Sequence, residues 1–341
     1  MNAVADASAD VFVSAGAAPA LLPLRVAAVR EIAADVRLFE LHAADGAPLP
    51  PWTPGAHLRL HLADGLARSY SLCNTPHERG CYRIAVKREE ASRGGSSYLH
   101  ERVGAGDVIV AAPPANAFAL ADDGRAPVLL AAGIGITPIY AMAAALAHAG
   151  RSHRLHYFAR SLRHAAFFDE LAVAQAGLSL HLRLDAAETQ LAIRAALAAL
   201  PAPAPLYVCG PPPFIDAARD AARQGGWRDA DVHAELFAAP VGVAPTVAGH
   251  AGQDSFELVL QRSGVRCTVQ PGQSIVDAAA GAGVHIATSC GEGFCGSCES
   301  IVIEGQPVHR DSVLSAAERA AGRSIMPCVS RCGGPRLVLD L

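Results

Sequence analysis

Four cysteines carry the plainest chemistry in this chain: Cys290, Cys295 and Cys298 in SCGEGFCGSC, and Cys328 in MPCVS. A C-x4-C-x2-C run with a distant fourth cysteine gathers four thiolates around two irons, and it differs from the C-x2-C pairs of structural zinc sites. Gly291, Gly293 and Gly296 let such a loop curl tightly and turn backbone N–H groups toward sulfur. A [2Fe–2S] centre held this way passes one electron at a time, typically near ~−400 mV. No C-x-H pair is present, so the ligation of a Rieske centre is excluded here. Cys267 and Cys332 read as bystanders.

A one-electron centre needs a source, and two further segments offer what a flavin mononucleotide (FMN) requires. In RSYSLCN, Arg68 is a forked cation for phosphate, Tyr70 a ring to lie against the isoalloxazine or its ribityl chain, and Ser71 a hydroxyl for the reactive edge. In RGGSSYL, Gly94, Gly95, Ser96 and Ser97 lead into a short helix whose N–H groups and dipole suit the same phosphate. Each segment alone is as readily a polar strand or an ordinary glycine turn. The pair, at this spacing, points to FMN.

A nicotinamide donor is read from a third set. Gly133 and Gly135 in AAGIGITP permit close backbone approach to pyrophosphate and Thr137 can donate a hydroxyl, although Pro138 stands where G-x-G-x-x-G has its third glycine. Cys209 and Gly210 end a strand where a nicotinamide ring would arrive, with a buried core thiol as the alternative for Cys209. Arg160, just after another strand, meets either adenosine ribose and phosphate or only solvent. Glu235 and Phe237 in HAELF are placed to reach back to the flavin face, with core packing the default for Phe237.

Three kinds of element must position these groups. Residues 22–121 alternate apolar and polar side chains between turn signals, as in a small antiparallel β-barrel. From Pro127 the pattern changes to strand, glycine turn and helix, and repeats through LHYFAR, LSLHLRLD and PLYVCG, each followed by an amphipathic stretch. That alternation predicts an α/β domain with a parallel sheet, which binds dinucleotides at the carboxyl ends of its strands. Near the C-terminus, SFELVLQRSGVRCTVQ reads as a hairpin turning at Ser263 and Gly264, SIVDAAAGAG as a helix capped by Ser274, and RLVLDL as a last strand. These surround the cysteine loop as in an α+β plant-type ferredoxin, a β-grasp-like domain. The expected divisions are a tail over 1–20, a flavin barrel over 21–121, a nucleotide domain over 122–240, a linker over 241–252 and a [2Fe–2S] domain over 253–341.

Bulk properties remove other classes. At 341 residues and 51% hydrophobic content the chain can bury more than one core. A net charge of −4 without long runs of one sign argues against nucleic acid as a partner. Residues 126–150 lack Asp, Glu, Lys and Arg, yet Gly133, Gly135 and Pro138 break them, so no membrane span is expected. Asp6 and Asp10 stand where an export signal would carry basic residues. A cytoplasmic monomer is the expectation.

Taken together, these blocks resemble the phthalate dioxygenase reductase family, which includes the vanillate demethylase reductases. The matching segments are RSYSLCN, AVKR, RGGS, AGIGITP, FFDEL, YVCGP, the four cluster cysteines, HRDSVLS and LVLDL. The resemblance implies FMN rather than FAD, NADH as donor, and a ferredoxin-like cluster that hands electrons to a separate Rieske-type terminal oxygenase. It places flavin contacts on Arg68, Ser69, Tyr70, Ser71, Ala85, Lys87, Gly95, Ser96 and Ser97. Nicotinamide contacts fall on Gly133, Thr137, Cys209, Gly210 and Pro211, and an aromatic flavin partner on Phe237. One departure stands out: relatives often carry an acid after the arginine, and this chain has Ser161 after Arg160. An acid there would favour the free ribose hydroxyl of NADH, whereas Arg and Ser suit the extra phosphate of NADPH. Two other readings stay open: a stand-alone flavin reductase or oxidase, marked by rapid oxygen consumption without a partner, and a non-catalytic redox sensor, which NADH-dependent cytochrome c reduction would rule against.

Overall fold

Leu24 and Val26 point inward and Arg25 outward along the first strand, the period-2 signature of a sheet wetted on one face. The computed structural model describes residues 20–63, 66–90, 92, 94–174, 177–200, 204–237, 254–288, 291, 293, 296–311, 313–314 and 316–341. The chain divides into Ala20–Val241 and a second unit that contains Gly242–Leu341.

Six antiparallel strands begin the first unit: β1 (Leu22–Ala33), β2 (Val36–Ala43), β3 (His57–His61), β4 (Ala67–Ser71), β5 (Tyr82–Lys87) and β6 (Val108–Ala111). Their order is β4-β3-β6-β1-β2-β5, and a bridge between Leu72 and Ile84 joins the two outer strands, closing a barrel. Two register shifts let the twelve-residue β1 bend around it. Phe39, Leu41, Leu58, Leu60 and Ile84 fill the interior, and Leu99 of helix α1 (Gly95–Arg102) joins them.

A parallel sheet follows, from β7 (Val128–Ala132), β8 (Arg154–Ala159), β9 (Leu178–Leu182), β10 (Leu206–Cys209) and β11 (Val232–Glu235). Helices α2 (Ile136–His148), α3 (Phe168–Ala174), α4 (Ala186–Ala198) and α5 (Pro212–Gln224) alternate with these strands. The order β11-β10-β7-β8-β9 reverses direction of growth between β7 and β10, so a crevice opens at their carboxyl ends. No helix among the described residues is long and apolar enough to cross a membrane. The uncharged stretch over 126–150 is β7, a glycine turn and the buried α2.

Barrel and sheet are not packed separately. Val36 and Leu38 of β2 and Ala85 of β5 belong to one buried cluster with Leu129, Ile139 and Tyr157 of the α/β layer. Strand β2 is therefore apolar on both faces, with Phe39 and Leu41 turned into the barrel. The ring edge of Phe118 meets Tyr207 at 5.6 Å, and the Tyr207 hydroxyl accepts from the Ala121 N–H at 2.7 Å.

The C-terminal unit pairs β12 (Phe256–Leu260) with β13 (Val265–Val269) as the expected hairpin, Gly264 taking the left-handed turn position at φ 66°. Helix α6 (Ile275–Gly281) starts at Ser274, whose hydroxyl accepts from the Asp277 N–H. After it come β14 (Ser300–Glu304), β15 (Pro307–Val308), α7 (Ala316–Ala321), β16 (Ser324–Ile325), β17 (Arg331–Cys332) and β18 (Arg336–Leu339). The mixed sheet runs β13-β12-β18-β14-β16, with β12 and β18 parallel, and Ile275 and Ala279 pack against Leu258 and Leu337 beneath α6.

Candidate functional site

Strand β4 carries the first group. Leu58 faces Tyr70 and Leu60 faces Arg68 across the β3–β4 ladder, which fixes Arg68, Ser69, Tyr70 and Ser71 along one barrel edge. Tyr70 leans on the barrel core while Ser71 is buried. A Cβ added to Gly95 would stand 2.5 Å from Arg68 Cγ and 3.1 Å from Tyr70 Oη, so only glycine lets the start of α1 approach β4 this closely. Gly94, at φ 96°, precedes it without a side-chain cap, and the first turn of α1 holds no acid. This cradle, an arginine and a tyrosine against an uncapped helix start, fits a phosphorylated flavin. Ser92 was not foreseen: its hydroxyl gathers the Gly94 N–H at 3.1 Å and the Ser96 hydroxyl at 3.0 Å, and holds the turn shut. The Ala85 side chain belongs to the shared core, which leaves only its backbone to meet a cofactor.

The second group surrounds a cavity of about 560 Å3. Lys87 from the barrel lines it together with Gly133, Gly135, Arg160, Gly210 and Phe237, so it joins the barrel wall to the crevice of the parallel sheet. A Cβ on Gly135 would overlap the Cys209 carbonyl, and one on Gly210 would stand 2.8 Å from the Ala132 Cβ. The two glycines let the turn after β7 close against the end of β10, a fit to a dinucleotide backbone. Pro138 is buried in the first turn of α2, and Pro211 caps α5.

Two of the expected contacts sit deeper than the rest. Thr137 is buried, and its hydroxyl donates to the Ile134 carbonyl at 3.1 Å, so it braces the glycine turn from within. Cys209 is fully buried in the shared core and absent from the cavity wall, where Gly210 stands instead. Burial, and secondarily Glu235, pushes its thiol well above the ordinary range, so it stays protonated. Glu235 and Ser71 do meet: the Ser71 hydroxyl donates to Glu235 Oε2 at 3.3 Å and ties β4 to the end of β11. Phe237 is half-buried, packs on the shared core and borders the cavity. The Ser161 hydroxyl lies 2.8 Å from His164 Nδ1.

Other walls of the cavity escaped sequence reasoning. The His181 ring stacks on Phe158 at 4.2 Å, and Phe214 meets Phe158 edge-on at 5.1 Å. His156 Nδ1 lies 3.1 Å from His181 Nε2. Burial, then the neighbouring His181, lowers the His156 pKa to about 4, and burial lowers that of His181. Both rings are neutral at neutral pH. The available signal was the run of aromatic and histidine side chains at the carboxyl ends of strands, where such sheets bind ligands.

In the C-terminal unit the Cys298 and Cys328 sulfurs lie 3.3 Å apart, although 30 residues separate them in sequence. Cys290 and Cys295 fall outside the described residues. Gly293 has φ 75°, and a Cβ there would stand 2.5 Å from Val329 Cγ2. Two thiols converging in the same unit as Gly293, a position that only glycine fits, suit a metal cluster. Asp311, in HRDSVLS, is buried and accepts N–H groups of Val313 and Leu314, while the Ser330 hydroxyl donates to it at 3.4 Å. It thereby braces the segment that follows Cys328. Cys332 is buried with its sulfur 3.2 Å from the Arg336 carbonyl, as befits a bystander.

A barrel with a flavin cradle, a dinucleotide crevice and a thiol cluster define the chain as a flavin- and iron–sulfur-dependent oxidoreductase. Residues 258–333 match the family described as the 2Fe-2S iron-sulfur cluster binding domain. The chain is 44% identical over 329 residues to phenoxybenzoate dioxygenase subunit beta of Ectopseudomonas oleovorans, covering 96% of this chain and 100% of that protein. It is 39% identical to the vanillate O-demethylase oxidoreductase of Pseudomonas sp. (strain HR199 / DSM 7063), covering 94% and 100%. Among solved structures, phthalate dioxygenase reductase, described as modular for electron transfer from pyridine nucleotides to [2Fe-2S], matches with a TM-score of 0.71 at 37% identity, covering 94% of this chain and 98% of that one. The chain belongs to the phthalate dioxygenase reductase family of oxygenase reductases.

Proposed function

We propose that this protein is the reductase component of a Rieske-type oxygenase system, drawing electrons from NADH and delivering them singly to a separate terminal oxygenase. When bound, FMN accepts a hydride and releases its electrons one at a time, and the [2Fe–2S] cluster carries them onward. Protein groups bind, orient and shield. Arg68 and the start of α1 hold the flavin phosphate, and the turn over Gly133–Gly135 receives the pyrophosphate. The Ser71 hydroxyl keeps its proton directed at Glu235 Oε2, beside the flavin edge. Phe237 covers the place a nicotinamide enters and excludes water from it. Cys298 and Cys328, with Cys290 and Cys295, hold the cluster.

One observation carries this reading: a single cavity is lined by Lys87 of the barrel and by the glycines at the switch point of the sheet. The cysteine module argues for a one-electron exit, and hence against a stand-alone flavin reductase. We further place the protein in the cytoplasm, where thiols such as its free described cysteines stay reduced, and read it as a monomer because one copy carries every cofactor segment.

Spectra before and after anaerobic NADH addition, with extraction of the flavin and an iron assay, test the proposal. Expected are a ~450 nm band that bleaches, released FMN, two irons per chain, and NADH-dependent cytochrome c reduction. A colourless protein, or one that consumes oxygen rapidly without any partner and reduces no one-electron protein acceptor, would sink it.

A further inference from the structure

Strands β8 and β9 run parallel with Ala159 beside Leu182. The next residues, Arg160 and Arg183, therefore leave the sheet side by side at its carboxyl end. The Arg183 N–H donates to the Ala159 carbonyl at 3.3 Å, and a left-handed backbone at φ 58° ends the strand there. Both side chains are exposed, and Arg160 borders the cavity. Neither guanidinium has a hydrogen-bond or ion-pair partner among the described residues, unlike Arg83, Arg125 and Arg228, which each hold a carboxylate. His164 and His181 add two more nitrogen-bearing rings to the same wall. Glu89 is the one acid lining the cavity among the described residues, and Lys87 Nζ already holds it at 2.8 Å.

Two arginines that leave neighbouring strand ends, exposed and without an ion-pair partner among the described residues, favour a dianion within reach of both. Their position narrows the dianion's identity. The end of the second strand in such a sheet is where the adenosine ribose is read, by an acid for a free 2′-hydroxyl or by arginine for a 2′-phosphate. Here the strand is followed by Arg160 and Ser161, with no acid at either position. We infer that Arg160 and Arg183 form a subsite for the 2′-phosphate of NADPH, and that the protein accepts NADPH in addition to NADH. This deepens the reductase reading and rests on it for the electron transfer alone.

Binding of adenosine 2′,5′-bisphosphate and of AMP to the holoprotein isolates the subsite, because the two differ only in the 2′-phosphate. The bisphosphate is expected to bind about tenfold more tightly at low salt, with the preference shrinking as ionic strength rises. The double variant Arg160→Gln/Arg183→Asn should bring the ratio to about one, asparagine being tolerated at the left-handed position. In parallel, the ratio of NADPH to NADH efficiency in ferricyanide reduction should fall about tenfold in the double variant. Equal affinity of the wild-type holoprotein for the two nucleotides overturns the inference, as does a preference that persists in the double variant. The wild-type comparison stands even if the variant fails to fold. The binding ratio involves no electron transfer, so absence of turnover from either nucleotide would be a separate result, directed at the reductase reading.

Discussion

The two units of this chain prepare their cofactor sites by different means. In Ala20–Val241, segments approach each other at Gly95, Gly135 and Gly210, where an added Cβ would meet its neighbours, and a core shared by barrel and sheet holds them in place. In Gly242–Leu341 a smaller core carries Cys298 and Cys328, whose sulfurs converge across 30 residues of sequence. A packed site exists before its ligand arrives, whereas a thiolate site draws part of its folding free energy from the metal. The first unit should therefore keep its fold without flavin, and the second should weaken without iron.

The largest test of that contrast is Cys328→Ser. The ratio of cytochrome c reduction to ferricyanide reduction should fall on the order of 10²-fold, since loss of a ligand exceeds the usual cost of disturbing a ligand's support. Thermal unfolding should show the C-terminal transition moving down while the other holds. An unmoved C-terminal transition would break the comparison. Gly135→Ala acts in the opposite unit. Its Cβ meets rigid backbone at Cys209 and Gly210, so a cost of about 2–3 kcal/mol is expected in the Ala20–Val241 transition alone, with a raised KM for NADH. At Gly95 the obstruction is the flexible Arg68 side chain. Gly95→Ala should therefore weaken FMN retention roughly tenfold, about 1.4 kcal/mol, read from flavin absorbance per chain after gel filtration.

Smaller effects sharpen the picture. Ser71→Ala removes one donor from Glu235 and should cost about 1 kcal/mol by urea unfolding. The His156–His181 pair sets a pH dependence. With the folded His156 pKa at about 4, below its ordinary 6.5, the unfolded chain binds more protons between these values. Stability therefore rises with pH across that window and is lost on acidification from 6.5 towards 4. A His156→Gln variant should flatten the slope, and an unchanged slope would remove His156 from the account.

Much of this architecture was legible from residue order. The cysteine spacing, the glycine turn after Ala132 and the alternation of strand and helix each express a local rule, and local rules survive in sequence. What stayed hidden depends on partners far along the chain. The Thr137 hydroxyl stands at the turn as its position in sequence implies, but its bond to the Ile134 carbonyl follows from how the turn folds back. Cys209 does end its strand, but whether a strand end faces the crevice or the core is set by the layers packed on it, and here it faces the core. The union of barrel and sheet left one faint trace: Val36 and Leu38 interleave with Phe39 and Leu41, making β2 apolar on both faces where a barrel strand wetted outside would be polar.

That double-sided strand bears on how such proteins are reassembled over time. A crossover in the coding sequence between residues 241 and 242 would exchange the electron exit and leave the core shared by barrel and sheet intact. A crossover near residue 121 would strip Val36, Leu38 and Ala85 of their neighbours and wet them. Barrel and sheet are thus bound to travel together, because each keeps part of the other dry.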